Sequence, residues 1–310
     1  MNLKELPRVV DSISYLYFEK CHIEQDDFAV KIVYDDKTVA VPCANLTVLF
    51  LGPGTTITHA AIVNLSKCGC LVAWCGENLR RFYAMAHADT RSSKNLLIQA
   101  KACMDDELHM QVVQKMYNLR FSNISITNNL SLQQLRGLEG VRMRTTYQTC
   151  AKHYGVKWNG KISGHGTSAP DDVNLCLNYI NSLLYALCSA VINSLGFNCA
   201  LGLIHVGHIE SFVFDVADLY KAEIVIPNAF EVASKKQKGI IYDMYTDCRV
   251  LFRESLVKCD IVKRMIKDIL YLFDGIDTVY GDNSEGNLWD VGKEVKGHKN
   301  YGSDDIGECL

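Results

Sequence analysis

From Val173 to Ile209 the chain carries no Asp, Glu, Lys or Arg. A charge-free run of that length belongs either in the hydrocarbon of a bilayer or at the centre of a core. Asn174, Asn178, Asn181, Asn193 and Asn198 interrupt it, as do Gly196 and Gly202. It is therefore read as a helix from about Val173 to Leu195 buried inside a globular domain, with no membrane span. The N-terminus, MNLKELPRVVDSISY, lacks the basic start, apolar run and small-residue cleavage site of a secretory signal, which predicts a cytoplasmic protein. The thirteen cysteines are then expected to be free thiols.

On either side of this run the texture changes once. Residues 1–88 are rich in β-branched and aromatic segments, FAVKIVY, TVAVP, LTVLFLG, LVAWCG and RRFYAM, and read as mainly strands, with one helix at HAAIVNLSK. A polar linker at 89–94 follows. From Asn95 the apolar positions Leu97, Ala100, Met104, Leu108, Val112, Met116 and Leu119 recur at helical spacing, which predicts one long amphipathic helix. Ser131-Leu-Gln-Gln fits a capping box, so a second helix is expected from there to a stop at Gly155. Helices are expected to continue to about residue 273, and 274–310 reads as an acidic, loosely ordered tail. The fold class is α+β, a small N-terminal β-rich domain followed by a larger all-α domain.

The net charge of −3 conceals a basic body. From Asp274 onward nine residues are acidic and three basic, which leaves the rest of the chain net positive. Six Lys or Arg lie between Arg136 and Lys161 against one carboxylate, Glu139. A second cluster runs through Arg249, Arg253, Lys258, Lys263, Arg264 and Lys267. Local fields of this kind attract phosphates.

Four residues between positions 139 and 218 could carry chemistry. In FVFDVADLYK, Asp215 and Asp218 are one turn apart, and a helix starting at Asp215 would put both on one face at the rim of a core. Such a pair suits a hard divalent cation, and the bland alternative is two helix-capping carboxylates. His205, in LIHVG, precedes them by a short excursion that could fold it back beside them. Glu139 is flanked by Arg136 and Arg142, which alone would be a solvated salt-bridge ladder. Gly137 and Gly140 each cost a helix interior about 1 kcal/mol against alanine, so a bulky ligand such as a phosphodiester is expected to approach there. Cys68, Cys70 and Cys75 with His59 and His87 lack zinc spacing, and LGPGT lacks the ending of a phosphate loop. Asp105, Asp106 and Glu107 are read as ordinary helix surface.

Glu139, His205 and DVAD, together with LGPGTTITHAA, LVAWCGE, QLRGLEGVRMRTTY, YGVKWNG and LGLIHVG, resemble the CRISPR-associated integrase subunit of the adaptation complex, in its type I-E form. The likeness spans most of residues 10 to 270. It implies a prokaryotic protein with an N-terminal β domain and a larger α-helical catalytic domain. It implies an Mg²⁺ or Mn²⁺ ion held by Glu139, His205 and Asp218, with Asp215 as the neighbouring catalytic acid. It also implies contacts to DNA from Arg91, Arg136, Arg144, Lys221, Arg249 and Arg253, and a base-reading pocket around Tyr185 and His208. The implied substrates are double-stranded DNA with 3′ overhangs and CRISPR repeat DNA, and the implied assembly is a homodimer around a small dimeric partner protein. Lys20, Cys21 and His22 stand where such relatives place an aromatic that braces a splayed duplex end. The implied reaction is 3′-hydroxyl transesterification. Two other readings stay open on the residues alone: a metal-dependent nuclease of branched DNA or repair intermediates, and a non-catalytic DNA-binding scaffold.

Overall fold

The computed structural model describes residues 14–77, 82–86, 93–121, 130–161, 171–241, 243–277, 287–290 and 293–296. The first half of the chain builds two four-stranded sheets. In one, β1 (Ser14–Phe18), β5 (Leu46–Leu51) and β7 (Leu71–Cys75) run parallel, and β8 (Phe82–Ala86) closes the edge antiparallel. In the other, β2 (His22–Asp26), β3 (Ala29–Val33) and β4 (Thr38–Pro42) form an antiparallel meander to which β6 (Thr56–Ile57) adds beside β2. Helix α1 (His59–Lys67) opens on Thr58, whose hydroxyl accepts the Ala61 N–H.

The alternation of β5 and β7 decides how this half meets the rest. Val48, Phe50, Leu71, Ala73 and Cys75 enter the core of the helical part. Their sequence neighbours Leu49, Leu51, Cys70 and Val72 enter a second core with α1 and the meander. A strand with both faces buried reads as a continuous apolar run, as LTVLFL and LVAWC do.

The helical part comprises α2 (Lys94–Met104), α3 (Asp106–Arg120), α4 (Leu132–Tyr154), α5 (Asp172–Ser194), α6 (Ser211–Ala217), α7 (Ile226–Gln237), α8 (Met244–Lys258) and α9 (Ile261–Leu272). The strand-rich region followed by a helical one is the expected architecture. The first part of the charge-free run forms α5, which packs on α6, α7, α8, α9 and β5 and buries Ile180, Leu184, Cys188 and Ile192 completely. Among the described residues it is the one helix long and apolar enough to cross a membrane, and it forms the middle of the core. Helix α4 begins with the expected capping box between Ser131 and Gln134 and ends on Gly155 at φ 67°. The cysteines among the described residues are all free.

One expectation changes. The long helix from Asn95 is broken at Asp105, whose backbone is extended and whose carboxylate accepts the N–H groups of Glu107 and Leu108 at 3.0 Å each. Asp105 is thus the N-cap of α3 and not a position on a continuous helix surface, because its side chain offers the backbone a local alternative. Of the linker placed at 89–94, only Ser93 and Lys94 are described, and Lys94 already opens α2. The tail expected to be loosely ordered contains an antiparallel hairpin, β9 (Asn287–Asp290) with β10 (Lys293–Lys296).

Candidate metal and nucleic-acid site

The geometry begins at Gly202. A Cβ there would run into the carbonyl oxygen of His205 and lie 2.7 Å from Ser211 Cβ, so only glycine lets the 203–205 turn fold back on α6. The turn delivers three backbone N–H groups to Asp215. Leu203 donates at 2.6 Å and Ile204 at 3.0 Å to Oδ2, and His205 donates at 2.9 Å to Oδ1. Oδ1 also takes the Nδ1–H of the His205 ring at 2.7 Å. A carboxylate accepts and does not donate, so the ring proton sits on Nδ1 and Nε2 keeps its lone pair. The hydrogen bond that His205 donates to Asp215 raises the His205 pKa above its ordinary 6.5, with burial opposing.

Asp215 is 0% exposed and its acceptor sites are taken. Asp215 is thus engaged with His205 and the 203–205 turn, while Asp218 is the C-cap of α6. Lys221 Nζ lies 2.7 Å from Asp218 Oδ1, and Arg120 Nη2 lies 3.6 Å from Oδ2. Burial works against the Asp218 charge, yet Lys221, Arg120 and His205 together hold its pKa below the ordinary value. Lys221 stands on a single widened turn, Lys221–Val225, in which Ile226 N–H bonds Lys221 O. Isolated turns of this kind recur at functional sites. Its ammonium lies 4.8 Å from the centre of the Tyr185 ring.

Glu139 projects from α4, a helix on which only Leu135 is buried. Its Oε1 is 3.5 Å from Arg142 Nη1, and its Oε2 is buried with no hydrogen-bond partner. Burial raises the Glu139 pKa, against the pull of Arg120 and Arg142, and the Asp218 charge raises it further. Glu139, Asp218 and His205 thus share one electrostatic neighbourhood. As the side chains stand, no three His, Cys, Asp or Glu groups among the described residues close to metal-ligand distance. The donor set nevertheless fits a hard divalent cation. Two carboxylates and one oriented imidazole are suitable ligands, and the orphaned Glu139 Oε2 lacks a hydrogen-bond partner.

The other expected contacts divide into groups. Arg136 and Arg144 are exposed on α4. Tyr185 and His208 each pack on Phe214 at ring separations of 5.2 Å, Tyr185 edge-on and His208 stacked. Arg249 and Arg253 do not join the acidic residues; with Tyr17, Phe50 and Leu183 they line a separate cavity of about 320 Å³ between the first sheet, α5 and α8. Arg91 lies outside the described residues. At the duplex-end position, Lys20 has φ 52° and donates its N–H to Pro53 O at 3.0 Å, and His22 Nδ1 pairs with Thr56 Oγ1.

Two participants were not singled out in the sequence. Lys161 is close enough to Lys221 and Asp218 to feel both charges; desolvation and Lys221 lower its pKa. Arg120 is buried on the apolar stripe of α3 that carries Val113, Met116 and Tyr117. A charge at helical spacing within an apolar stripe was the legible signal.

A family model for CRISPR associated protein Cas1 matches residues 123–247, which carry Glu139, His205, Asp215 and Asp218. The CRISPR-associated endonuclease Cas1 2 of Thermus thermophilus is 43% identical over 99% of this chain and 95% of its own length. The CRISPR-associated endonuclease Cas1 of Escherichia coli is 35% identical over 84% of this chain and 85% of its own. In structure, a TtCas1–DNA complex superposes with a TM-score of 0.71 at 41% identity, covering 87% of this chain and all of that one. The chain belongs to the CRISPR-associated endonuclease Cas1 family.

Proposed function

We propose that this chain is the DNA-integrating subunit of a CRISPR adaptation complex of type I-E form. In this reading it joins captured duplexes with 3′ overhangs to CRISPR repeat DNA by transesterification. The 3′-hydroxyl oxygen of the captured strand forms a new bond to a repeat-boundary phosphorus, and the displaced strand leaves with its own 3′ hydroxyl. One phosphodiester replaces another. The Asp215–His205 pair is the observation that carries the proposal: a buried carboxylate holding Nδ1–H fixes the tautomer that presents Nε2 as a ligand.

Glu139, His205 and Asp218 would hold Mg²⁺ or Mn²⁺, which when bound polarises a phosphoryl oxygen and stabilises developing charge. The remaining work belongs to side chains already in place. Lys221 and Lys161 draw the phosphate to Asp218, and the exposed Arg136 and Arg144 hold the strand along α4. Tyr185, Phe214 and His208 offer aromatic faces to an unpaired base. A relative at 41% identity binds DNA in its solved complex, which supports the substrate class. The homodimer and the small dimeric partner follow from the family resemblance.

The test combines the protein, its small partner, Mg²⁺ or Mn²⁺ and a labelled 3′-hydroxyl duplex with a plasmid carrying a CRISPR array. Covalent joining that needs the 3′ hydroxyl and is lost in Glu139→Ala supports integration. Cleaved ends without joined strands would instead favour the branched-DNA nuclease.

A further inference from the structure

Arg120 is the last residue of α3, and its side chain is 2% exposed. Beyond its 3.6 Å approach to Asp218, Nη2 donates to the Asp215 carbonyl at 3.3 Å, and the guanidinium lies 5.2 Å from the Tyr117 ring centre. Its Nε is buried without a partner, as is Glu139 Oε2. Arg120 is also the strongest of the cations that offset burial of the Glu139 carboxylate. The other cations on this acidic pair reach solvent: the side chains of Lys221 and Arg142 are 17% and 27% exposed. Among these described cations Arg120 is the one whose side chain is closed to solvent, so it acts through the two carboxylates.

Uncompensated buried charge is strongly unfavourable, and Glu139 and Asp218 are like charges in one neighbourhood. We propose that Arg120 is a resident counter-ion, a positioning residue that supplies positive charge to Glu139 and Asp218 so that the acidic site stays folded before a divalent cation arrives. The inference rests on the reading that these carboxylates hold such a cation.

Thermal unfolding of the full chain in EDTA and in Mn²⁺ tests it. Arg120→Met, close in volume but uncharged, is expected to lower the Tm in EDTA by roughly 5–10 °C. Mn²⁺ should raise the Tm of this variant by at least about 3 °C more than it raises that of the parent, because the ion then replaces the missing charge. In EDTA, Arg120→Met/Glu139→Gln should recover at least about half of the loss, since the orphaned charge is gone. Folding of the double variant where the single one fails to fold would support the inference equally. An unchanged Mn²⁺ increment together with no recovery by Glu139→Gln would overturn it and make Arg120 a packing residue. Failure of both variants to fold would have the same meaning. If the parent gains nothing from Mn²⁺ while Glu139→Gln still rescues Arg120→Met, the counter-ion stands and the metal reading falls.

Discussion

At the scale of single residues, the site depends on a proton fixed in one place. Asp215 accepts four N–H groups and holds the His205 ring by Nδ1. Asp215→Asn substitutes a donor for an acceptor among those N–H groups, so it should lower stability by about 2–3 kcal/mol and strand joining by roughly 10–100-fold. Denaturant melts and a joining assay measure the two effects. The raised His205 pKa has consequences of opposite sign. Without metal, the charged His205–Asp215 pair favours the fold below the ordinary His value, and that contribution is lost as pH rises through the raised pKa. With metal, protonation of Nε2 competes with coordination, so joining should fall on the acid side, with the limb moving to lower pH as the metal concentration rises. A joining profile from pH 5 to 9 that keeps its acid limb in place in Asp215→Asn would detach that limb from His205.

At the scale of elements, α4 is the test case. Gly137 and Gly140 face open space, with nothing within 4 Å of a Cβ built on either. Gly140→Ala should therefore stabilise the protein by about 1 kcal/mol, a rise of roughly 2–4 °C in Tm. If a DNA backbone approaches this surface, the same change should weaken DNA binding, as a filter-binding titration would show. Stability and binding moving together would remove the reason for the glycines. What the sequence made legible here was local. The Ser131–Gln134 box, the Gly155 stop and the α1 limits depend on a few adjacent residues and could be read directly. The break at Asp105 was hidden because the apolar spacing runs across it without interruption. The inward turn of Asp215 was hidden for a different reason. It depends on the 203–205 loop that Gly202 permits, and side chains one turn apart on a helix do not reveal which of them that loop will claim.

At the scale of the whole molecule, the change of texture near residue 90 marks a change of secondary structure but no gap in the packing. Val48, Phe50, Leu71, Ala73 and Cys75 lie in the same core as α5, α6 and α7. Heat or denaturant should then unfold both halves in one transition, with near-ultraviolet signals and far-ultraviolet helix signal coinciding. Separate midpoints would show that the sheet holds alone. Leu49→Asp, on the opposite face of β5, should lower the stability of the helical half as well, because the strand it disrupts carries both cores. The two-faced strand limits how such a protein can be shuffled. A β-rich half taken from a distant relative would have to reproduce the relief of five side chains on one face of a sheet while rebuilding its own core behind them. Replacing one half alone should therefore cost stability that replacing both together would keep.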